Sequence, residues 1–140
     1  MANWNLGAAS DALKADLAGA AFTGPVSSTA GEFNLKTLTA LADADATLTG
    51  AQLDGGLFTI APSIARLLTT DTVVNILAAI PGHVNGTHFE FTIVNTGTLM
   101  ATLTAVAGVT LVGAAIVATA TSGTFRLYRT SGTTVSIVRI

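Results

Sequence analysis

The chain of 140 residues has no cysteine, which excludes disulfides and thiolate chemistry and leaves packing or assembly as the source of any stability outside a cell. Charge is scarce too. Charged residues are 10% of the chain, against about 25% in ordinary soluble domains. Residues 1–71 hold seven acids and three bases (−4), and residues 72–140 one acid and three bases (+2), which sum to the net charge of −2. Neither half has a run of like charge, so no nucleic-acid surface and no polybasic membrane patch is expected. The opening, MANWNLGAASDALKADL, lacks a basic start and a continuous apolar run. It is not read as a secretory signal, and synthesis in the cytoplasm is expected.

Catalytic signatures are missing as well. There is no nucleophile elbow, no Gly-rich phosphate loop and no histidine with an evident orienting partner. His83, His88 and Glu90 lie close together in PGHVNGTHFEF, but the spacing is wrong for a cupin-like metal set and no third histidine exists. No metal, no cofactor and no enzymatic activity are expected. Asn85-Gly86-Thr87 matches a glycosylation sequon, yet its expected role is a turn, because Asn-Gly favours positive φ.

One absence points toward a membrane. Residues 91–125 carry no charge and include LMATLTAVAGVTLVGAAIVATA, long enough for a spanning helix. The threonines at 102, 104, 110, 119 and 121, the glycines at 108 and 113 and the many β-branched residues suit strands and turns better. A small membrane protein of the holin type would instead give a helical spectrum and need detergent.

What is present reads as short strands. The clearest stretch is GTFRLYRTSGTTVSIVRI, residues 123–140, where Phe125 and Leu127 alternate before a turn and Val135 and Ile137 after it. A three-residue loop, Thr130-Ser131-Gly132, would pair Leu127 with Val135 and Phe125 with Ile137, with Gly132 left-handed. That register turns Arg126, Tyr128 and Val138 to the opposite face, as candidates for contact with a neighbour. HFEFTIVNTGTLMATL repeats the pattern: Phe89, Phe91 and Ile93, a loop Asn95-Thr96-Gly97, then Leu99, Ala101 and Leu103, with Phe91 facing Ala101. Further strands are expected at 57–60, 64–68, 73–77, 109–112 and 115–119. ATLTG-AQLDG at 46–55 resembles two pentapeptide units, too few to build a repeat fold.

Residues 1–35 differ. Ser10 can cap a short helix carrying Leu6, Leu13 and Leu17 near one face, ended by Gly19 and followed by Gly24-Pro25. Two to three turns are marginal alone, so the helix must dock, either on its own domain or as an arm on a neighbouring subunit with Trp4, Phe22 and Phe33 as anchors. The expectation is therefore an N-terminal arm (1–35) followed by an all-β domain (36–140). That domain is a jelly-roll or Greek-key sandwich of about eight short strands.

The segments AAIPGHVNGTHFEFTIVNTG and GVTLVGAAIVATATSGTFRLYRTSGTTVSIVRI resemble the head decoration, or cement, proteins of tailed bacteriophages, including the jelly-roll cement proteins of short-tailed phages. The likeness covers roughly the C-terminal half and is one of pattern, with no motif residue to carry over. It implies a structural protein on the outer surface of the virion capsid that bridges major capsid protein subunits as a homo-oligomer, a dimer rather than a trimer. A tail or fibre β-domain that binds a host glycan is the alternative, with Trp4 and Tyr128 as its obvious aromatics.

Overall fold

A computed structural model describes residues 36–79 and 84–140. The Ser10-capped helix, the arm residues Trp4, Leu6, Leu13, Leu17, Phe22 and Phe33, and His83 lie outside the described residues. The described chain is an all-β sandwich of two sheets. Its strands are β1 (Leu38–Ala40), β2 (Ala46–Leu48), β3 (Leu57–Ile60), β4 (Arg66–Thr70), β5 (His88–Asn95), β6 (Ala101–Thr104), β7 (Val109–Val112), β8 (Ile116–Val117), β9 (Thr121–Arg129) and β10 (Val135–Arg139), ten against the eight or so expected. Two short helices interrupt them, α1 (Gly50–Leu53) after β2 and α2 (Val73–Ala79) after β4.

The first six strands alternate between the sheets. β1, β3 and β5 stack parallel in a six-stranded sheet of order β1-β3-β5-β9-β10-β7. β2, β4 and β6 stack parallel in a four-stranded sheet of order β2-β4-β6-β8. The chain thus makes three turns of a flattened coil, after which β8 and β9 run antiparallel to β6 and β5. Among the described residues five of the eight strand pairings are parallel. Jelly rolls and Greek keys are built from antiparallel neighbours, and only three pairings here are of that kind.

One cluster of buried side chains joins the sheets. Phe58, Phe91 and Phe125 come from neighbouring strands of the larger sheet, with Phe91 stacked on Phe125 at 5.4 Å and edge-on to Phe58 at 6.2 Å. Leu48, Leu68, Leu103 and Val117 of the smaller sheet are likewise buried in it. The inward set at 89–93 and 125–137 is therefore the expected one, by the period of two that strands impose.

Three local expectations fail. The turn between β9 and β10 spans residues 130–134, so Leu127 faces Ile137 and Phe125 faces Arg139. Thr130 and Ser131 N–H both donate to Thr134 C=O, at 3.1 and 3.2 Å, and the hydroxyls of Thr130 and Thr134 bond each other at 2.7 Å. The loop is closed by hydroxyl side chains, and Gly132 is not among the positive-φ glycines. The register moved by two residues, which leaves every side chain on its expected face.

The segment 89–103 is not a hairpin. β5 and β6 belong to different sheets, and Phe91 faces Phe125, not Ala101. Asn95 makes the crossing: its buried amide donates to Leu99 C=O (2.8 Å) and Val117 C=O (3.0 Å), and its Oδ1 accepts from Gly97 N–H (2.9 Å). Thr96 N–H reaches Ile60 C=O and Thr98 N–H reaches Pro62 C=O, so this crossing lies on the one between β3 and β4. A Cβ on Gly97 would stand 2.2 Å from Pro62 N.

Residues 73–77 are helical, although they are rich in β-branched types. Thr72 caps α2 through Asn75 N–H (3.3 Å), and the buried Val73 and Ile76 keep helical spacing while Val74 is exposed. Capping also resolves ATLTG-AQLDG: its first part is β2 and its second is α1, opened by a capping box between Thr49 and Gln52. Asp71 joins the helices by accepting from Asn75 Nδ2 (2.8 Å) and Gly50 N–H (3.1 Å). These bonds, the Asn75 one foremost, hold its carboxyl below the usual range.

The uncharged run 99–120 forms β6, β7 and β8 rather than a helix. Among the described residues no helix is long and apolar enough to cross a membrane.

Candidate interaction surfaces

The aspartates of Ala42-Asp43-Ala44-Asp45 face the next turn of the coil. Asp43 Oδ1 accepts from Arg66 Nε (2.8 Å), and its Oδ2 accepts from Ser63 N–H (3.1 Å) and from the Ser63 hydroxyl. Asp45 accepts from Leu67 N–H at 2.9 Å. The Arg66 bond, then the Ser63 hydroxyl, lower the Asp43 carboxyl to about 2. These are ties between coil turns, and they fully occupy Asp43.

The outer face of the six-stranded sheet carries the described members of the expected interface. Along one row Glu90, Arg126, Val138 and Val112 stand side by side, and along the next His88, Tyr128, Ser136 and Thr110. Arg126 is engaged in place: its Nη2 and Nε donate to Glu90 Oε1 at 2.7 and 3.1 Å. That bond lowers the Glu90 carboxyl, with Lys36 and His88 adding to the field. Arg129 lies on the other parity and donates to Ser131 C=O. His88 and Glu90 share the outward parity, and among the described residues no three metal-ligating side chains converge. Asn85-Gly86-Thr87 sits in a turn with Gly86 at φ 89° and Thr87 N–H bonded to Val84 C=O.

The outer face of the four-stranded sheet was not anticipated. Two rows cross it in register, Thr47-Thr69-Thr104 and Leu67-Thr102-Ile116. None of these side chains is charged. Leu67 and Ile116 are each 48% exposed, and Met100, on the same parity just before β6, is 42% exposed. Thr69 and Thr104 bond to each other at 2.9 Å, which satisfies hydroxyls that would otherwise seek water. A contiguous patch of large exposed apolar groups marks an interaction site more often than isolated ones do. Its sequence signal was weak. Arg66-Leu67-Leu68-Thr69-Thr70 does not alternate, so the facing of Leu67 could be read only once β4 was paired.

An open depression lined by residues 94–96 and 120–122 offers no comparable chemistry, since the amide of Asn95 beneath it is fully engaged.

No protein-family model matches the chain, and no curated protein or solved structure matches it either.

Proposed function

We propose that the chain is a structural, non-enzymatic decoration protein. It binds the outside of a tailed-phage head as a homo-oligomer and bridges major capsid protein subunits, stiffening the shell. The observation that carries this reading is the uncharged outer face of the four-stranded sheet, with Leu67, Met100 and Ile116 exposed on it. Such a face loses little on desolvation, because its two rows carry no ion and the carboxylate at its margin, Asp45, is already bonded to Leu67 N–H. It gains through many small dispersion contacts, the kind of adhesion that needs shape complementarity and no chemistry.

Size adds a condition. Four strands about 4.8 Å apart and about four residues long cover roughly 200 Å², well below the ~800 Å² that each partner contributes to a standard interface. One face alone binds weakly. A repeating shell repairs this, because linked copies convert weak contacts into avidity of roughly 10²–10⁴.

The test is cosedimentation of the purified protein with expanded phage heads stripped of decoration. Binding is expected for the native chain, and its loss for Leu67→Asp/Ile116→Asp, with the thermal melt unchanged. A native protein that does not bind heads overturns the reading. Binding to a glycan array without binding to heads favours the tail-domain alternative.

A further inference from the structure

Among the described residues the six-stranded sheet ends at β7, which bonds on one side only, to β10. Val135 N–H donates to Gly108 C=O at 3.1 Å, and this fixes the phase of the parallel ladder. Gly108, Thr110 and Val112 turn their main-chain groups toward β10, and Val109, Leu111 and Gly113 turn theirs to the open side. Val109 N–H is already taken by Val106 C=O at 3.1 Å. Within the ladder the open edge therefore offers four groups, Val109 C=O, Leu111 N–H, Leu111 C=O and Gly113 N–H, while Gly113 C=O lies past the strand end, where the chain turns at φ 88°.

We propose that this edge pairs with the same edge of a second copy, antiparallel about a twofold axis at Leu111. Under that operation each group meets its complement. Leu111 N–H faces the other Leu111 C=O and Gly113 N–H faces Val109 C=O, which makes four hydrogen bonds and leaves only Gly113 C=O, beyond the end of β7, to solvent. The side chains agree. On the outer face Val112, 48% exposed, stands opposite Thr110 of the second copy, and Val138 flanks Val112. On the inner face the half-buried Leu111, packed against the core cluster, is covered at the rim. Edge strands are ordinarily protected by charge, proline or a covering element. β7 lies in the charge-free run 91–125 and contains no proline, whereas β1, the opposite edge, begins two residues after Lys36. A twofold contact of this kind closes at two copies. The pairing deepens the self-association in the proposed function, since a dimer carries two uncharged faces to the shell.

Sedimentation equilibrium of the full chain, over a concentration series and without capsids, tests it. A dimer is expected. Thr110→Lys/Val112→Lys sets lysines directly opposite one another across the seam and is expected to give monomers, with the β-type circular dichroism and the melt retained. Leu111→Pro removes the donor on the axis at a position whose N–H faces outward, where an edge strand tolerates proline, and is likewise expected to be monomeric. A native chain that sediments as a monomer or a trimer overturns the proposal, as does a folded double-lysine variant that stays dimeric. Capsid binding is not read in this assay, so failure of the capsid reading leaves the dimer result standing, and a monomeric native chain leaves capsid binding untouched.

Discussion

Phe91→Ala probes the packing that holds the two sheets together. Phe91 is fully buried, stacked on Phe125 and edge-on to Phe58. Truncating a buried phenylalanine to alanine costs about 3–5 kcal/mol. The upper half of that range is expected, because two aromatic contacts worth roughly 0.5–1.5 kcal/mol each go with the ring. Total stability for a domain of this size is about 5–15 kcal/mol, so the variant should remain folded in the cold. With a urea dependence of about 2 kcal/mol per molar, the midpoint should fall by ~2 M with its slope preserved. Thr92→Ala is the internal control, since Thr92 points to the other face and shares a hydroxyl bond with Thr124 at 3.1 Å, worth about 0.5–1.5 kcal/mol. Phe91→Ala/Phe125→Ala should cost less than the sum of the single changes, by about 1 kcal/mol. Equal losses for Phe91→Ala and Thr92→Ala, or additive losses for the ring pair, would refute the assigned facing.

Gly97→Ala and Gly132→Val separate close approach from turn strain. The first places a Cβ within 2.5 Å of Pro62 backbone atoms and should cost about 1–3 kcal/mol by overpacking. The second meets only Arg129 Nη2, at 3.7 Å, and should shift the urea midpoint by the equivalent of less than about 1 kcal/mol. Arg126→Ala breaks an ion pair whose side chains are 42% and 37% exposed, so the urea midpoint should barely move in the same assay. Asp43 titrates at about 2 in the fold against 3.8 unperturbed. Its depressed value means stability present above the unfolded value and lost as pH falls through the folded one. Asp43→Asn should therefore flatten the urea-midpoint profile between pH 4 and pH 2, and an unchanged acid limb would count against the Arg66 and Ser63 bonds.

Side-chain facing was readable in residues 89–93 and 125–137, because a period of two survives any even shift of register. Partner choice was not. Nothing in Asn95-Thr96-Gly97 distinguishes a hairpin loop from a crossing between sheets, since both want an Asx turn and a small residue. The crossing is decided by Pro62, far along the chain, lying against Gly97. The helix at 73–79 was hidden by β-branched residues, and Thr72 with Asn75 was the cue that outweighed them. Parallel stacking left no trace, because successive turns of the coil share neither length nor motif: Leu38 meets Leu57, 19 residues on, but Leu57 meets Thr92, 35 residues on. The uncharged face of the smaller sheet was equally hidden, since it exists only where three distant strands lie side by side.

The alternation of strands between sheets also bears on when the fold can form. Within the coil no strand pairs with its neighbour in sequence. β9 and β10 are the one consecutive pair among the described residues that do. Loop-closure entropy therefore has to be met before any turn of the coil is rewarded, which places the domain among slow, non-local folders. The cheapest nucleus is the β9–β10 hairpin, which lies C-terminal to every strand of the coil. Until it arrives, β5 lacks its antiparallel partner, Phe91 lacks the ring of Phe125, and β7 has no strand to lie beside. The coil is thus completed only once this hairpin is in place, with largely uncharged strands waiting on their final partner.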